Sequence, residues 1–272
     1  MPSKEVYSWL RTRFFPHMWC PGCGHGIIMH SLLRALVDLK KDQSNTVIAS
    51  GIGCSSRMPG YIDACTLHTT HGRSLGFATG IKMVKPEMTV IDVMGDGDCS
   101  AIGGNHFIHA CRRNIDITAI VMNNNIYGMT GGQASPTTPG GALATTAPYG
   151  AVDPTFDLCR LAEGAGATFV ARSTIANPKQ AEKYIVDGIK HKGFSVVEII
   201  SSCHTQFGRK NNRRTPISNI EFLKSATVTK EKAKDMSPEE LYGRIVVGEF
   251  VNKTAPEYTE QYLAMTKKVR EG

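Results

Sequence analysis

Thr89-Val-Ile-Asp-Val-Met-Gly95-Asp96-Gly97-Asp98 is followed, after residues 99–115, by Asp116-Ile-Thr-Ala-Ile-Val-Met122-Asn123-Asn124-Asn125. Both stretches are built alike: a short β-branched apolar run stops abruptly in glycine, aspartate or asparagine. Such a run, bounded by turn residues, reads as a buried strand. Residues 101–111 follow a glycine turn and read as a helix, which makes the two strands parallel partners joined by a crossover. Runs at 46–50, 167–171 and 194–200 repeat the pattern. Between them, Ile28, Leu32, Leu36 and Leu39 recur at helical spacing, and Asn177-Pro178 supplies a cap and first-turn proline for a helix towards Lys192. Strands alternating with helices predict an α/β fold, a parallel sheet with helices on both faces.

Four of these strands run straight into an unusual cluster: Gly51-Ile-Gly-Cys54, Gly95-Asp-Gly-Asp98, Asn123-Asn-Asn125 and Ser201-Ser-Cys203. Ligands of open α/β sheets sit outside the carboxyl ends of the strands, so all four clusters would share one rim. An aspartate between glycines at a strand-to-helix turn leaves N–H groups free for phosphate and a carboxylate free for a hard divalent cation. Alone the motif is common. Its separation from Asn124 by residues 98–123, one helix plus one strand, fits a carboxylate and an amide converging on one Mg²⁺. Residues 128–150 carry no periodicity, and a structureless stretch of that length inside a compact domain is read here as a binding loop.

Composition narrows the function classes. The 272 residues carry a formal charge of +7, 41% hydrophobic and 20% charged residues, with no apolar stretch of the length a membrane-spanning helix needs. No continuous apolar segment follows Met1, so no secretory signal is read and a cytoplasmic location is expected. In a reducing compartment eight cysteines are not four structural disulfides, so a clustered subset points to metal, cluster or catalysis. Cys20-Pro-Gly-Cys23 offers two thiolates on one tight turn, and Cys54 and Cys203 stand at two strand ends on the expected rim. From spacing alone, a [4Fe-4S] cluster and zinc both remain open, although no second Cys-x-x-Cys completes a zinc ribbon. Cys65, Cys99, Cys111 and Cys159 read as small buried residues. His68 and His71 could bracket a metal, but structural roles are the commoner fate. Arg57 either grips a substrate carboxylate or is a solvated arginine. The basic run Gly208-Arg-Lys-Asn-Asn-Arg-Arg214 has no interleaved aromatics and reads as a solvated loop, with anion or acidic-partner contact second and nucleic acid unsupported.

In combination these motifs resemble the β subunit of 2-oxoacid:ferredoxin oxidoreductases. The likeness rests on Cys20-Pro-Gly-Cys-Gly-His-Gly26, Gly51-Ile-Gly-Cys-Ser-Ser-Arg57, Leu67-His-Thr-Thr-His-Gly-Arg73, Gly95-Asp-Gly-Asp98 with Ile102-Gly-Gly-Asn-His106, and Asn123-Asn-Asn-Ile-Tyr-Gly-Met-Thr130, and runs from about Trp19 to Arg214. It implies a thiamine diphosphate-binding fold in which Asp96, Asn124 and the Ile126 carbonyl ligate Mg²⁺. Ile52, Gly53, Cys54, Ser55, His71, Gly97, Asp98, Gly128 and Met129 would contact the cofactor, and Cys20, Cys23, Cys54 and Cys203 would hold one [4Fe-4S] cluster. The implied reaction takes 2-oxoglutarate, coenzyme A and oxidised ferredoxin to succinyl-CoA, CO₂ and reduced ferredoxin, reversibly, with Arg57 and His71 as candidate catalytic groups. Thiamine activation needs a Glu at the aminopyrimidine, which a partner α subunit is expected to contribute in an αβ or (αβ)₂ assembly. A pyruvate enzyme, a non-redox thiamine decarboxylase or carboligase, and a zinc-stabilised scaffold are the alternatives. Residues 1–216 are expected to form the cofactor and cluster domain, and 217–272 a helical extension, including a helix opened by Ser237-Pro-Glu-Glu240 and running through Phe250.

Overall fold

A computed structural model describes residues 4–271, beginning with the short helix α1 (Lys4–Ser8). The strands are β1 (Thr46–Ser50), β2 (Cys65–His68), β3 (Thr89–Gly95), β4 (Thr118–Asn123), the short β5 (Ile126–Tyr127) and β6 (Gln133–Ala134), β7 (Phe169–Thr174), β8 (Ser195–Ile200), β9 (Thr227–Thr229) and β10 (Ile245–Asn252). Eight of them form one sheet in the order β2-β1-β3-β4-β8-β7-β10-β9, while β5 and β6 make a separate hairpin. Pairing from β2 through to β7 is parallel throughout. The four strands whose ends carry the unusual clusters, β1, β3, β4 and β8, are contiguous in the sheet.

Alternate residues of these strands feed two cores, which is why the runs are apolar without interruption. On one face, Ile48, Ile91, Ile120 and Val197 pack with Ile28, Leu32 and Leu36 of α2 (His25–Asp38) and Ile185 of α6 (Pro178–Lys190). On the other, Val47, Val90, Val121 and Val196 meet Leu75 of α3 (Ser74–Val84), Phe107 of α4 (Gly104–Arg113) and Leu158 of α5 (Leu158–Gly164). The expected α/β architecture is present.

The C-terminal region departs from expectation. After α7 (Pro216–Ala226), the capping box at Ser237 does open a helix, but that helix spans only Pro238–Leu241. Gly243, with φ of 73°, ends it, and the β-branched run that follows becomes β10, antiparallel to β7. The extension is therefore not wholly helical: it adds two strands to the main sheet, and its last helix, Tyr258–Glu271, follows them. β2, whose side chains are half exposed, was also not anticipated. Cys65 on β2 is exposed, against its reading as a core residue, whereas Cys99, Cys111 and Cys159 are buried as expected.

Arg172 of β7 pins this edge. Its Nε donates to Glu198 Oε2 on β8 at 2.6 Å, its Nη2 to Asp157 Oδ1 at 2.6 Å, and its Nη1 to the Val246 carbonyl of β10 at 3.3 Å. Glu198, 1% exposed, thus relies on one buried cation. Replacing Arg172 by Leu strands that carboxylate, a class of lesion that costs about 3–5 kcal/mol. Denaturant unfolding is expected to show a loss of that order for Arg172→Leu and a much smaller one for Arg172→Leu with Glu198→Leu. Equal losses in the two variants would show that the ion pair is not what holds the edge.

Candidate active site

The strand ends meet as the register requires. One cleft is lined by Ile52, Gly53, Cys54 and Ser55 after β1, by Asp96, Gly97 and Asp98 after β3, by Asn124, Ile126, Gly128 and Met129 after β4, and by His71. These are all the residues expected at the thiamine cofactor and Mg²⁺. His25, Tyr127 and Thr130 also line it, although the sequence reading gave them no role. Asp96 is 2% exposed. Its Oδ2 accepts hydrogen bonds from Ser135 Oγ and, at 2.7 Å, from Thr137 Oγ1. Burial pushes its pKa up, and those hydroxyl donors oppose the shift.

The other edge of Asp96 is the informative one. The Asn124 side-chain amide stands 3.3 Å from Asp96 Oδ1 and 2.8 Å from the Ile126 carbonyl oxygen: turned one way its nitrogen donates to both, turned the other its oxygen joins them. Asp96 Oδ1 also accepts the Asn124 backbone N–H at 3.4 Å. With the amide oxygen inward, three oxygens converge, the donor set that a hard cation takes. The residues present fit Mg²⁺. Beside it, Gly97 has no room for a side chain, since a methyl there would overlap the Tyr127 ring, and Tyr127 Oη donates to the Gly97 carbonyl at 3.2 Å. Asp98 Oδ1 accepts from the Gly72 N–H at 2.6 Å and the Ile52 N–H at 3.3 Å. His71 Nδ1 lies 2.6 Å from the same oxygen but off the direction of a hydrogen bond. Burial raises the Asp98 pKa against the pull of the Gly72 amide and His71.

His68 does not join His71: its Nδ1 is within hydrogen-bond reach of the Ser56 carbonyl at 3.0 Å and of Ser50 Oγ at 3.2 Å, a structural role. Arg57 is not brought into the cleft lining. It sits exposed in the short helix Ser55–Gly60, with Nε against Met18 Sδ at 2.9 Å. His25 donates or accepts at Ser201 Oγ, 3.0 Å away, and burial lowers its pKa to about 4, so the ring is neutral at physiological pH.

The four thiols expected together are neighbours. Cys20 and Cys203 each lie 3.7 Å from Thr205 Oγ1, and Gly128 backs onto both Cys203 Sγ and Cys54 Sγ. Cys23 senses the charges of Cys203, Cys54 and Cys20. Among the described residues no three His, Cys, Asp or Glu side chains close on a single ion.

Comparison with known proteins agrees with this geometry. The model for the thiamine pyrophosphate enzyme C-terminal binding domain matches residues 46–199. The 2-oxoglutarate synthase subunit KorB of Methanocaldococcus jannaschii is 53% identical over 97% of both chains, and that of Archaeoglobus fulgidus is 46% identical over 99% of this chain and 97% of its own. The chain belongs to the β subunits of the 2-oxoacid:ferredoxin oxidoreductases. A solved 2-oxoglutarate:ferredoxin oxidoreductase from Magnetococcus marinus, with 2-oxoglutarate, coenzyme A and succinyl-CoA bound, matches with a TM-score of 0.87 at 31% identity, over 99% of this chain and 92% of that one.

In this β subunit the thiols differ in reactivity. Burial, then the neighbouring thiols, raise Cys23 to about 12 and Cys54 to about 11. Cys20 and Cys65 are exposed. In iron-free protein at neutral pH, iodoacetamide is expected to label Cys20 and Cys65 well before Cys23 and Cys54. The thiolate fraction of the two slow cysteines then rises about tenfold per pH unit until their pKa is reached. Uniform labelling at neutral pH, read by peptide mass spectrometry, would contradict the burial.

Proposed function

We propose that the chain is the β subunit of a 2-oxoglutarate:ferredoxin oxidoreductase. It would take 2-oxoglutarate, coenzyme A and oxidised ferredoxin to succinyl-CoA, CO₂ and reduced ferredoxin, and fix CO₂ in reverse. The observation that carries the reading is Cys54, which lines the cleft and is also one of the four grouped cysteines. A carbon-centred decarboxylation site and a one-electron acceptor would then be separated by a single residue's width. The 2-oxoglutarate preference rests on the relatives' substrate.

Asp96, Asn124 and the Ile126 carbonyl would hold Mg²⁺, with the diphosphate received at the Gly95–Asp98 turn. Bound thiamine diphosphate supplies a carbon nucleophile and an electron sink for the 2-oxoacid. The chain's part is to place it. Ile52, Gly53, Cys54 and Ser55 would lie along it, with Gly97, Asp98, Gly128 and Met129 around it. His71, a third exposed and beside Asp98, would be the group able to exchange a proton at the cleft mouth. Cys20, Cys23, Cys54 and Cys203 as thiolates would bind the [4Fe-4S] cluster that takes electrons one at a time. No glutamate lines the cleft among the described residues, which supports an α subunit as donor of the activating Glu, in an αβ or (αβ)₂ enzyme. Among the described residues no helix is long and apolar enough to cross a membrane, and all eight cysteines are free, as a cytoplasmic enzyme would have them.

Anaerobic co-purification with the α subunit tests the cofactors. Brown protein with about four irons per β chain and ferredoxin reduction dependent on 2-oxoglutarate and coenzyme A is expected. Stoichiometric zinc, or iron-free protein that still decarboxylates the 2-oxoacid, would overturn the oxidoreductase. Arg57 is exposed and outside the cleft lining, with Nε on Met18 Sδ, so it would grip the distal carboxylate of the substrate by turning from that sulfur towards the cleft. Arg57→Ala is expected to raise the KM for 2-oxoglutarate by about tenfold and to erode its preference over pyruvate; an unchanged preference removes Arg57 from substrate recognition.

A further inference from the structure

The loop at 128–150 was expected to bind, and the structure gives one segment of it, Ser135-Pro-Thr-Thr138, a specific set of contacts. Ser135 and Thr137 are 7% and 2% exposed, and both hydroxyls reach Asp96 Oδ2. Thr137 Oγ1 is also 3.0 Å from Asn123 Oδ1, which accepts the Asn125 N–H at 3.0 Å. Thr138 Oγ1 donates to the Asn125 carbonyl at 2.7 Å and accepts from the Ser135 N–H at 2.9 Å. Asn125 itself is left-handed, with φ of 61°. One short segment thus grips both the carboxylate after β3 and the amide turn after β4.

The division of the Asp96 carboxylate matters chemically. A carboxylate can bind a cation through one oxygen or both. Each hydroxyl has a single proton, and the charged oxygen at 2.7 Å is the stronger acceptor for that of Thr137. Two donors on Oδ2 occupy that oxygen and fix the plane of the group. Oδ1, which accepts the Asn124 backbone N–H at 3.4 Å, is the oxygen left on the side of Asn124 and Ile126. A site restricted to one oxygen from this side chain favours a small ion with strict octahedral demands; a carboxylate free to turn and chelate favours a larger, more permissive one.

We propose that Ser135 and Thr137 are positioning residues that hold Asp96 to single-oxygen coordination and thereby make the site selective for Mg²⁺ over Ca²⁺. The inference rests on the thiamine-diphosphate reading of the cleft. It also joins the order of the 128–150 loop to occupancy of the metal site, because the same two hydroxyls belong to both.

Calorimetric titration of the cofactor-depleted αβ enzyme with Mg²⁺ and, separately, Ca²⁺ at saturating thiamine diphosphate tests this. The variants are Ser135→Ala, Thr137→Val and the hydroxyl-preserving Thr137→Ser. Loss of one hydroxyl is expected to weaken Mg²⁺ by about tenfold, the order of one hydrogen bond to a charged group, and to weaken Ca²⁺ less, so that the affinity ratio falls. Thr137→Ser should keep the parent ratio. Thermal unfolding of the metal-free forms reports folding separately, and Ser135→Ala carries the test if Thr137→Val does not fold. An unchanged ratio in folded Ser135→Ala and Thr137→Val, or equal losses for both ions, overturns the proposal. Folded parent enzyme that binds thiamine diphosphate without any divalent cation overturns the cation reading beneath it.

Discussion

Four carboxylates are buried near the carboxyl ends of this sheet, and charge cannot be left in such a place without an answer. Each has a different one. Glu198 is met by Arg172 and by the Asn123 amide, which donates to it at 2.8 Å. Asp92, fully buried on β3, has its pKa pushed far up by burial, which favours its neutral form against the opposing pull of the Ser74 hydroxyl. Asp98 takes backbone N–H groups from Gly72 and Ile52. Asp96 takes two hydroxyls on one oxygen and has no Lys or Arg among the groups that shift it. Neither Asp96 nor Asp98 has a Lys or Arg among the groups that shift it, and under the proposed function a cation would answer that deficit at Asp96.

The arrangement is cooperative because neighbouring answers share residues. Asn123 gives its amide nitrogen to Glu198 and its oxygen to the Asn125 N–H; the Asn125 carbonyl accepts from Thr138, whose hydroxyl accepts from the N–H of Ser135, and Ser135 donates to Asp96. The structural ion pair at Arg172 and the cation site at Asp96 are therefore ends of one hydrogen-bonded chain through β4 and the loop. β10 reaches the first end through Val246. A strand from the C-terminal region thus supports, at several removes, the turn that carries Asn124.

What could be read in the sequence follows from this. Strands β1, β3, β4 and β8 are covered on both faces, so their runs are apolar and β-branched, and each stops where a functional cluster begins. The contiguity of these strands then assembled Asp96, Asn124, Cys54 and Cys203, while Cys20 and Cys23 come from the turn before α2. Less legible were elements with mixed surroundings. β2 is half exposed, and β10 was mistaken for the continuation of a well-capped helix, although Ile245-Val-Val247 and the break at Gly243 carried the contrary signal. The grip of Ser135 and Thr137 on Asp96 spans 39 and 41 residues from an aperiodic loop, and hydroxyl contacts of that kind leave no pattern in composition or spacing. Arg57 shows that nearness in sequence to Cys54 does not place a side chain on the cleft lining, because the short helix after Cys54 sets its Nε against Met18.

The segment Ile126-Tyr-Gly128 links the oxygens at Asp96 to the thiols of Cys54 and Cys203. The Ile126 carbonyl faces Asn124 and Asp96, whereas Gly128, two residues on, backs onto Cys54 and Cys203, where an added Cβ would lie 3.8 Å and 3.4 Å from the sulfurs. Tyr127 between them fills the space that Gly97 leaves open. A side chain at 97 would displace Tyr127 and its hydrogen bond to the Gly97 carbonyl, whereas an added Cβ at 128 would make ordinary contact with the two sulfurs. Gly97 is therefore set by close packing, and Gly128 marks where the backbone comes within contact of Cys54 and Cys203. Electron transfer weakens steeply with distance, so under the proposed function that closeness would place the thiolate ligands of the cluster beside the cofactor cleft.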